Sequence, residues 1–253
     1  MEGIFQSILG GVLRKIVPTP EEREETQKKA ELIRTRILVE LQKSGLNAEV
    51  EVGGSVAKDT WLRDEVDIDI FILFLKDIDR RDLGSLGLTI ARKAVVGCKC
   101  RERYAEHPYL EAWVNGTRVN IVPCYRIEDK CWLSAADRSP YHTKYIRTRL
   151  QERDVTDEIR LFKRFAKGIG VYGAEIQVGG FSGYLCELLV LSYSSFLDTL
   201  RAITRWRFGE KLGIEGLCGA RVVKLKRVFQ APLVVADPVD QNRNVAAAVS
   251  EEK

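Results

Sequence analysis

The chain lacks the histidine and cysteine patterns that build zinc sites. It contains only two histidines, and its six cysteines stand at no spacing typical of a zinc site. The nearest pair, Cys98 and Cys100, has no second pair at a suitable distance. We therefore interpret the cysteines as reduced thiols of a cytoplasmic protein. Any catalytic metal must then be held by carboxylates, which favours Mg²⁺ or Mn²⁺.

The chain also lacks a long apolar run. No segment approaches the roughly 18 apolar residues of a transmembrane helix, so no membrane partner is expected. The apolar segment 1–17 has no basic leader and no small-residue cleavage site, and we interpret it as an amphipathic helix rather than a signal peptide. With 253 residues and 45% apolar content, the chain suits one large or two small globular domains.

The first part of the chain mixes helical and strand patterns. Asn115-Gly116, between two apolar runs, is the strongest hairpin signal in the sequence. The first expected elements are a helix from Thr19 to Ser44, a strand over 48–52, a helical turn over 58–62 and a strand over 66–75. A helix over 79–104 and hairpin strands over 109–114 and 117–122 follow, the second strand ended by Pro123.

The pattern becomes helical from Thr156 onward, with helices expected over 157–167 and 183–200. We therefore predict two domains, 1–150 and 151–253. Segment 201–230 holds eight Lys or Arg against two Asp or Glu, although the net charge of the whole chain is only +4. With Trp206 and Phe208 among its arginines, this segment suits either an RNA backbone or a solvated helix face.

The residues that suggest chemistry lie between Gly53 and Asp69. Side chains alternate faces along a strand, so Asp67 and Asp69 share one face with Cα atoms about 6.5–7 Å apart. Two like charges on an otherwise apolar strand are costly unless a cation compensates them, and a pair of divalent ions holding a triphosphate would do so. Upstream, the Gly54-Ser55 turn offers backbone and hydroxyl donors to phosphate, and Lys58 offers a positive charge.

This pattern of Gly-Ser followed by Asp-x-Asp on an apolar strand resembles the nucleotidyltransferase superfamily typified by DNA polymerase beta. Further blocks are similar to those of the archaeal, class I CCA-adding enzymes. They run from about residue 50 to 248 and comprise Thr60-Trp-Leu, Tyr104-Ala-Glu-His-Pro-Tyr109, Val122-Pro-Cys-Tyr125, Ala136-Asp-Arg-Ser-Pro-Tyr-His142, Gly170-Val-Tyr-Gly-Ala-Glu175, Gly179-Gly-Phe-Ser-Gly-Tyr-Leu-Cys-Glu-Leu-Leu189, and Asp237-Pro-Val-Asp-Gln-Asn-Arg243-Asn-Val-Ala-Ala.

The resemblance implies an α+β fold: a polymerase beta-like nucleotidyltransferase head with a mixed sheet and flanking helices (1–150), then a mostly helical central domain (151–253) that binds nucleotide and the tRNA acceptor end. It implies a cytoplasmic, Mg²⁺-dependent enzyme that adds C, C and A to tRNA 3′ ends from CTP and ATP without a template, with Mn²⁺ as a substitute for Mg²⁺. A homodimer is left open.

The resemblance also implies roles for individual residues. Asp67 and Asp69 would hold the catalytic ions, while Gly54, Ser55 and Lys58 would contact the triphosphate. The nucleotide pocket and base edge would be completed by His142, Lys163, Tyr172 and Arg243.

The sequence departs from the family at one catalytic position. The third carboxylate of the family falls where this chain has Asn120. An amide still offers an oxygen to a metal, but it brings no charge and cannot take a proton from a 3′-hydroxyl. We therefore expect a weakened ion beside the attacking hydroxyl, with slower catalysis or a need for Mn²⁺.

A second departure is length, because family members continue beyond the Arg243 block into a body and a tail that this chain does not contain. Without them we expect weak, strongly salt-dependent tRNA binding. Two other functions stay open: another template-independent RNA nucleotidyltransferase, distinguished by base preference, and a non-catalytic nucleotide- or RNA-binding paralogue, distinguished by binding without turnover.

Overall fold

The computed structural model describes residues 2–104, 108–213 and 230–253. The chain forms two compact units. The sheet unit is Pro18–Lys144, and the helical unit combines Met1–Val17 with Tyr145–Lys253. Residues 1–17, which we counted with the first domain, thus group with the second half of the chain. Among helices of the described residues, none has the length and apolar character needed to cross a membrane.

The sheet unit contains α2 (Pro20–Lys43), β1 (Ala48–Gly53), α3 (Gly54–Ala57), β2 (Asp67–Phe74), α4 (Arg80–Ala94), β3 (Lys99–Tyr104), β4 (Pro108–Val114), β5 (Thr117–Tyr125), a 3₁₀ turn (Ala136–Arg138) and the start of α5 (Ser139–Glu152). Its five strands are ordered β1-β2-β5-β4-β3. β2 and β5 are parallel and the other neighbours antiparallel, so the sheet is mixed, as expected.

The two faces of the sheet carry different kinds of side chain. Ile68, Ile70 and Ile72 of β2 are fully buried in a core completed by apolar side chains of α2 and α4. Because side chains alternate along a strand, Asp67 and Asp69 lie on the opposite face. One face therefore stabilises the unit by burying apolar surface, and the other carries the polar residues of the candidate site.

The helical unit contains α1 (Glu2–Ile16), the end of α5, α6 (Thr156–Gly168), α7 (Gly183–Tyr193), α8 (Phe196–Ile203) and a two-stranded parallel sheet of β6 (Glu210–Leu212) and β7 (Leu233–Val235). α6 packs against α1, α7 and α8. The basic segment 201–230 is only partly visible, because residues 214–229 lie outside the described residues.

Several predicted elements are confirmed. α2 begins with a capping box in which the Thr19 hydroxyl accepts from the Glu22 amide and the Glu22 carboxylate accepts from the Thr19 amide. The Asn115-Gly116 turn joins β4 and β5, with positive φ angles of 48° and 77°. The N-terminal segment is the helix α1.

Other predictions of elements were wrong. The helix expected within 79–104 ends at Ala94, and Lys99–Tyr104 forms the edge strand β3, whose mostly exposed, charged side chains give no apolar alternation to detect. The helical turn lies at Gly54–Ala57, not at 58–62. β5 runs through Pro123 to Tyr125, because proline removes only one donor from the ladder. The helix over 183–200 is interrupted at Ser194, whose φ is 74°.

Candidate active site

The register between β2 and β5 determines which side chains meet the two aspartates. Asp67 lies opposite Arg118, and Asp69 lies opposite Asn120. Residues paired across neighbouring strands present their side chains on the same face. The Asp67 carboxylate thus faces the Arg118 guanidinium, and the Asp69 carboxylate faces the Asn120 amide.

Asp69 is partly buried beside Asn120. The Asn120 amide donates a 2.9 Å hydrogen bond from Nδ2 to Oδ1 of Asp69. Burial raises the pKa of Asp69; the hydrogen bond from Asn120 and the positive charge of Lys58 oppose that rise, whereas the negative charge of Asp67 adds to it. The ionised carboxylate is therefore stabilised by any cation that binds beside it.

Asp67 is held by Arg118 through both carboxylate oxygens. Arg118 Nε donates to Oδ1 at 2.7 Å, and its terminal Nη2 donates to Oδ2. This two-point arrangement is the strong form of an ion pair. The hydrogen bond to Asp67 raises the pKa of Arg118, so the guanidinium stays charged.

Gly54 provides the close approach between α3 and Asp69. Its φ is +63°, and a Cβ at this position would overlap the Asp69 carboxylate. Both the backbone conformation and the space therefore require glycine. Ser55 follows in α3 and Lys58 lies just past it, with only 9% of its surface exposed. The structure brings Gly54 and Lys58 close to Asp69.

Next to Asn120, on β4, lies Glu111, a residue that sequence reasoning missed. It is 3% exposed, accepts a hydrogen bond from Arg101 and forms an ion pair with Arg103. Burial raises the pKa of Glu111, but the hydrogen bond and the charges of these arginines outweigh it and leave the pKa below its ordinary value.

A divalent ion fits this face only with help from the substrate. In the described part of the chain, no three His, Cys, Asp or Glu side chains gather as a metal site. Asp67, Asp69 and the Asn120 amide oxygen offer hard ligands, and Mg²⁺ is commonly held by one or two carboxylates plus substrate phosphates. The donor set, together with the desolvated Asp69, fits such an ion.

His142 belongs to the sheet unit and lies on α5, partly buried. The other three predicted site residues, Lys163, Tyr172 and Arg243, belong to the helical unit. The sequence-predicted residues are therefore divided between the two units.

In the helical unit, Lys163 and Tyr172 lie close to Gly183. A Cβ on Gly183 would lie 2.9 Å from the Tyr172 hydroxyl and 3.9 Å from Cε of Lys163. Lys163, on α6, forms a buried ion pair with Glu187 of α7, with Nζ 2.8 Å from Oε1. Lys167 lies over the Tyr172 ring, 4.4 Å from its centroid.

Arg243 is held by a buried carboxylate. Its Nη1 donates to Oδ2 of Asp237 at 2.8 Å, while the Tyr184 hydroxyl and the Val239 amide donate to Oδ1. Asp237 is completely buried, whereas the Arg243 side chain is 37% exposed. Burial, the Asp237 charge and the hydrogen bond raise the pKa of Tyr184, which therefore stays a neutral donor.

Sequence reasoning missed the partners of these residues. Glu187 and Asp237 stand inside sequence blocks that were recognised, but their burial is a tertiary property. Arg118 and Glu111 could be recognised as site residues only from the strand register, since each faces its partner across a pair of strands.

Comparison with known proteins identifies the families and folds that the chain resembles. The model of the nucleotidyltransferase domain matches residues 34–158, and the model of the tRNA nucleotidyltransferase second domain matches residues 157–253. Among solved structures, the fold is similar to Cid1, described as an RNA terminal uridylyl transferase (TM-score 0.74, 14% identity, 98% of this chain and 88% of that one), and to CdnC of E. coli MS115-1 (TM-score 0.70, 19% identity, 94% and 82%).

Sequence relatives are much nearer than these structures. A CCA-adding enzyme of Methanocaldococcus jannaschii is 41% identical across 98% of this chain and 57% of its own length. That of Saccharolobus shibatae is 43% identical across 94% of this chain and 54% of its own length. The chain thus spans little more than half the length of these relatives, and it belongs to the family of archaeal CCA-adding enzymes.

Proposed function

We propose that this protein adds C, C and A to tRNA 3′ ends from CTP and ATP without a nucleic-acid template. The observation that carries the proposal is the pair Asp67 and Asp69 on the open face of the sheet, with Gly54 packed against Asp69. The near relatives named CCA-adding enzymes support it. The protein would act in the cytoplasm on the acceptor end of tRNA.

In this proposal each unit has its own task. The sheet unit, Pro18–Lys144, is the catalytic head, in which Asp67, Asp69 and the Asn120 amide oxygen would hold Mg²⁺, with Mn²⁺ as a substitute. Ser55, Lys58 and the backbone at Gly54 bind the triphosphate. The ion supplies charge that stabilises the phosphate oxygens as negative charge develops on them.

Residues 151–253 bind the nucleotide and the acceptor end. Lys163 and Tyr172 of this unit would contact the nucleotide. His142 of the head is a further proposed nucleotide-binding residue. Arg243, a fork of donors fixed by Asp237, reads the edge of the base. Protein side chains thereby replace the template strand.

The reaction is an in-line displacement. The 3′-hydroxyl oxygen of the tRNA attacks the α-phosphorus, the bond from that phosphorus to the oxygen bridging the β-phosphate breaks, and pyrophosphate leaves. The hydroxyl proton passes to water, because the amide of Asn120 has no basic lone pair to accept it. This loss of a carboxylate predicts slow turnover.

Incorporation of labelled CTP and ATP into tRNA lacking its CCA end tests the proposal, in Mg²⁺ and in Mn²⁺. Ordered addition of C, C and A is expected, and it should be lost in Asp67→Ala/Asp69→Ala. Glu24→Ala/Glu25→Ala is the matched control, because it removes two carboxylates that are 67% exposed on α2.

A second function, nucleotide or RNA binding without catalysis, is favoured by Asn120 at the position of a catalytic acid. In that case CTP binds to the protein, no nucleotide is incorporated in either metal, and Asn120→Asp does not create activity. Incorporation of a base other than C and A would instead indicate another template-independent RNA nucleotidyltransferase.

A further inference from the structure

Arg118 uses both oxygens of the Asp67 carboxylate. One hydrogen bond, Nε to Oδ1, is 2.7 Å long, and the second joins Nη2 to Oδ2. A divalent ion that took Asp67 as a ligand would have to displace at least one of these bonds. The arginine therefore competes with the ion for the same oxygens.

The ion pair is accessible enough to open. The side chains of Arg118 and Asp67 are 44% and 35% exposed. Water screens an ion pair at such exposure, so even this two-point pair holds its partners less firmly than a buried one would. A divalent ion that binds Asp67 more strongly can therefore replace the guanidinium without unpacking the core.

The local charge also disfavours an ion that arrives alone. Asp67 and Asp69 bring two carboxylates, Arg118 neutralises one of them, and Lys58 places a positive charge near the other. With Asn120 uncharged, the face offers a divalent ion little net attraction. A triphosphate brings several negative charges and its own metal ligands.

We propose that Arg118 gates metal loading: it neutralises Asp67 in the nucleotide-free protein, so that a divalent ion enters together with the triphosphate and not before it. The inference rests on the proposed function, since it takes Asp67 as a ligand of the nucleotide-bound ion. When the loaded triphosphate arrives, Asp67 exchanges the guanidinium for the ion and Arg118 turns to solvent.

Mn²⁺ binding to the full chain tests the gate. Free Mn²⁺ is measured by its electron paramagnetic resonance signal, without nucleotide, for the wild type, Arg118→Gln and Arg126→Gln. We expect Arg118→Gln to bind Mn²⁺ about tenfold more tightly than the wild type, a change of about 1.4 kcal/mol. Arg126→Gln is the matched control: its ion-paired arginine is 39% exposed and lies just past the other end of β5.

Arg118→Lys provides a second variant, which keeps the positive charge but loses the two-point fork. Its affinity for nucleotide-free Mn²⁺ should fall between those of the wild type and Arg118→Gln. If circular dichroism shows Arg118→Gln to be unfolded, the lysine variant decides alone by binding Mn²⁺ more tightly than the wild type. Equal affinities in the wild type and the folded variants overturn the gate.

Water-proton relaxation with Mn²⁺ and CTP separates failure of the gate from failure of the proposed site. If Asp67→Ala loses the protein-bound Mn²⁺–CTP signal while Arg118→Gln and Arg118→Lys match the wild type without nucleotide, the gate alone is overturned. If Asp67→Ala retains that signal, Asp67 is not a ligand of the ion, and both the gate and the site assignment are overturned.

Discussion

The side-chain amide of Asn120 donates a 2.9 Å hydrogen bond to Oδ1 of Asp69. An aspartate at this position would instead place a third carboxylate beside Asp67 and Asp69. Like charges at such distances repel and favour the binding of a divalent cation. The residue at position 120 therefore controls both the charge of the site and its ability to accept a proton.

Asn120→Asp should increase the rate of nucleotide incorporation in Mg²⁺ by about tenfold or more, because a basic group restored beside the reaction contributes roughly 10²–10⁴-fold in general base catalysis. The ratio of the Mn²⁺ rate to the Mg²⁺ rate should fall. Asn115→Asp, the same change in the β4–β5 turn, is the control. An unchanged Mg²⁺ rate in Asn120→Asp would show that position 120 does not limit catalysis.

Gly54→Ala should abolish most activity, because the added Cβ overlaps the Asp69 carboxylate. The backbone at position 54 also has a φ of +63°, which strains any residue other than glycine. We expect a loss of about 1–3 kcal/mol in the free energy of unfolding, measured by urea denaturation. Gly45→Ala separates the two causes. Gly45 has φ of +64° with nothing within 4 Å of an added Cβ, so it should show the backbone strain alone. Equal activity in both variants would contradict the close approach.

Asp237→Asn should weaken discrimination between bases more than it weakens nucleotide binding. The substitution removes the charge that fixes the Arg243 guanidinium, while the amide can still accept from the Tyr184 hydroxyl. The ratio of kcat/KM for CTP to that for UTP should fall about tenfold, measured with tRNA lacking CCA. Glu251→Gln, at an exposed position, is the control. An equal fall in kcat/KM for CTP and for UTP would indicate that Asp237 has only a structural role.

Glu111→Gln should alter the stability of the protein at acid pH. Arg101, Arg103 and Arg118 lower the pKa of Glu111 from its ordinary value of 4.5 despite burial. Because the folded-state pKa is below the unfolded one, the stabilisation is present above pH 4.5 and is lost as pH falls through the folded value.

Glu111→Gln should therefore unfold more easily than the wild type at neutral pH, by about 1–3 kcal/mol, and the difference should shrink as the pH falls below the ordinary carboxyl pKa of 4.5. Thermal melts between pH 3 and pH 7 measure it, with Glu24→Gln on the exposed face of α2 as control. A pH-independent difference would mean that packing, and not the charge of Glu111, stabilises the sheet.

Much of the sheet unit could be predicted from the sequence. The capping residues of α2, the apolar run of β2 and the Asn115-Gly116 turn act through neighbours in the chain, and each appears as expected. β3 could not be predicted, because its charged side chains show no apolar period and it is extended only by pairing with β4.

The sequence by itself determined that Asp67 and Asp69 share a face, since alternation along a strand is a local property. The tertiary structure decided which partners they receive. Arg118 opposite Asp67, Asn120 beside Asp69, Glu187 on Lys163 and Asp237 on Arg243 all join residues that are distant in the chain. Such pairs arise only when strand register and helix packing bring remote backbones together, and the energy of a buried charge depends on that arrangement.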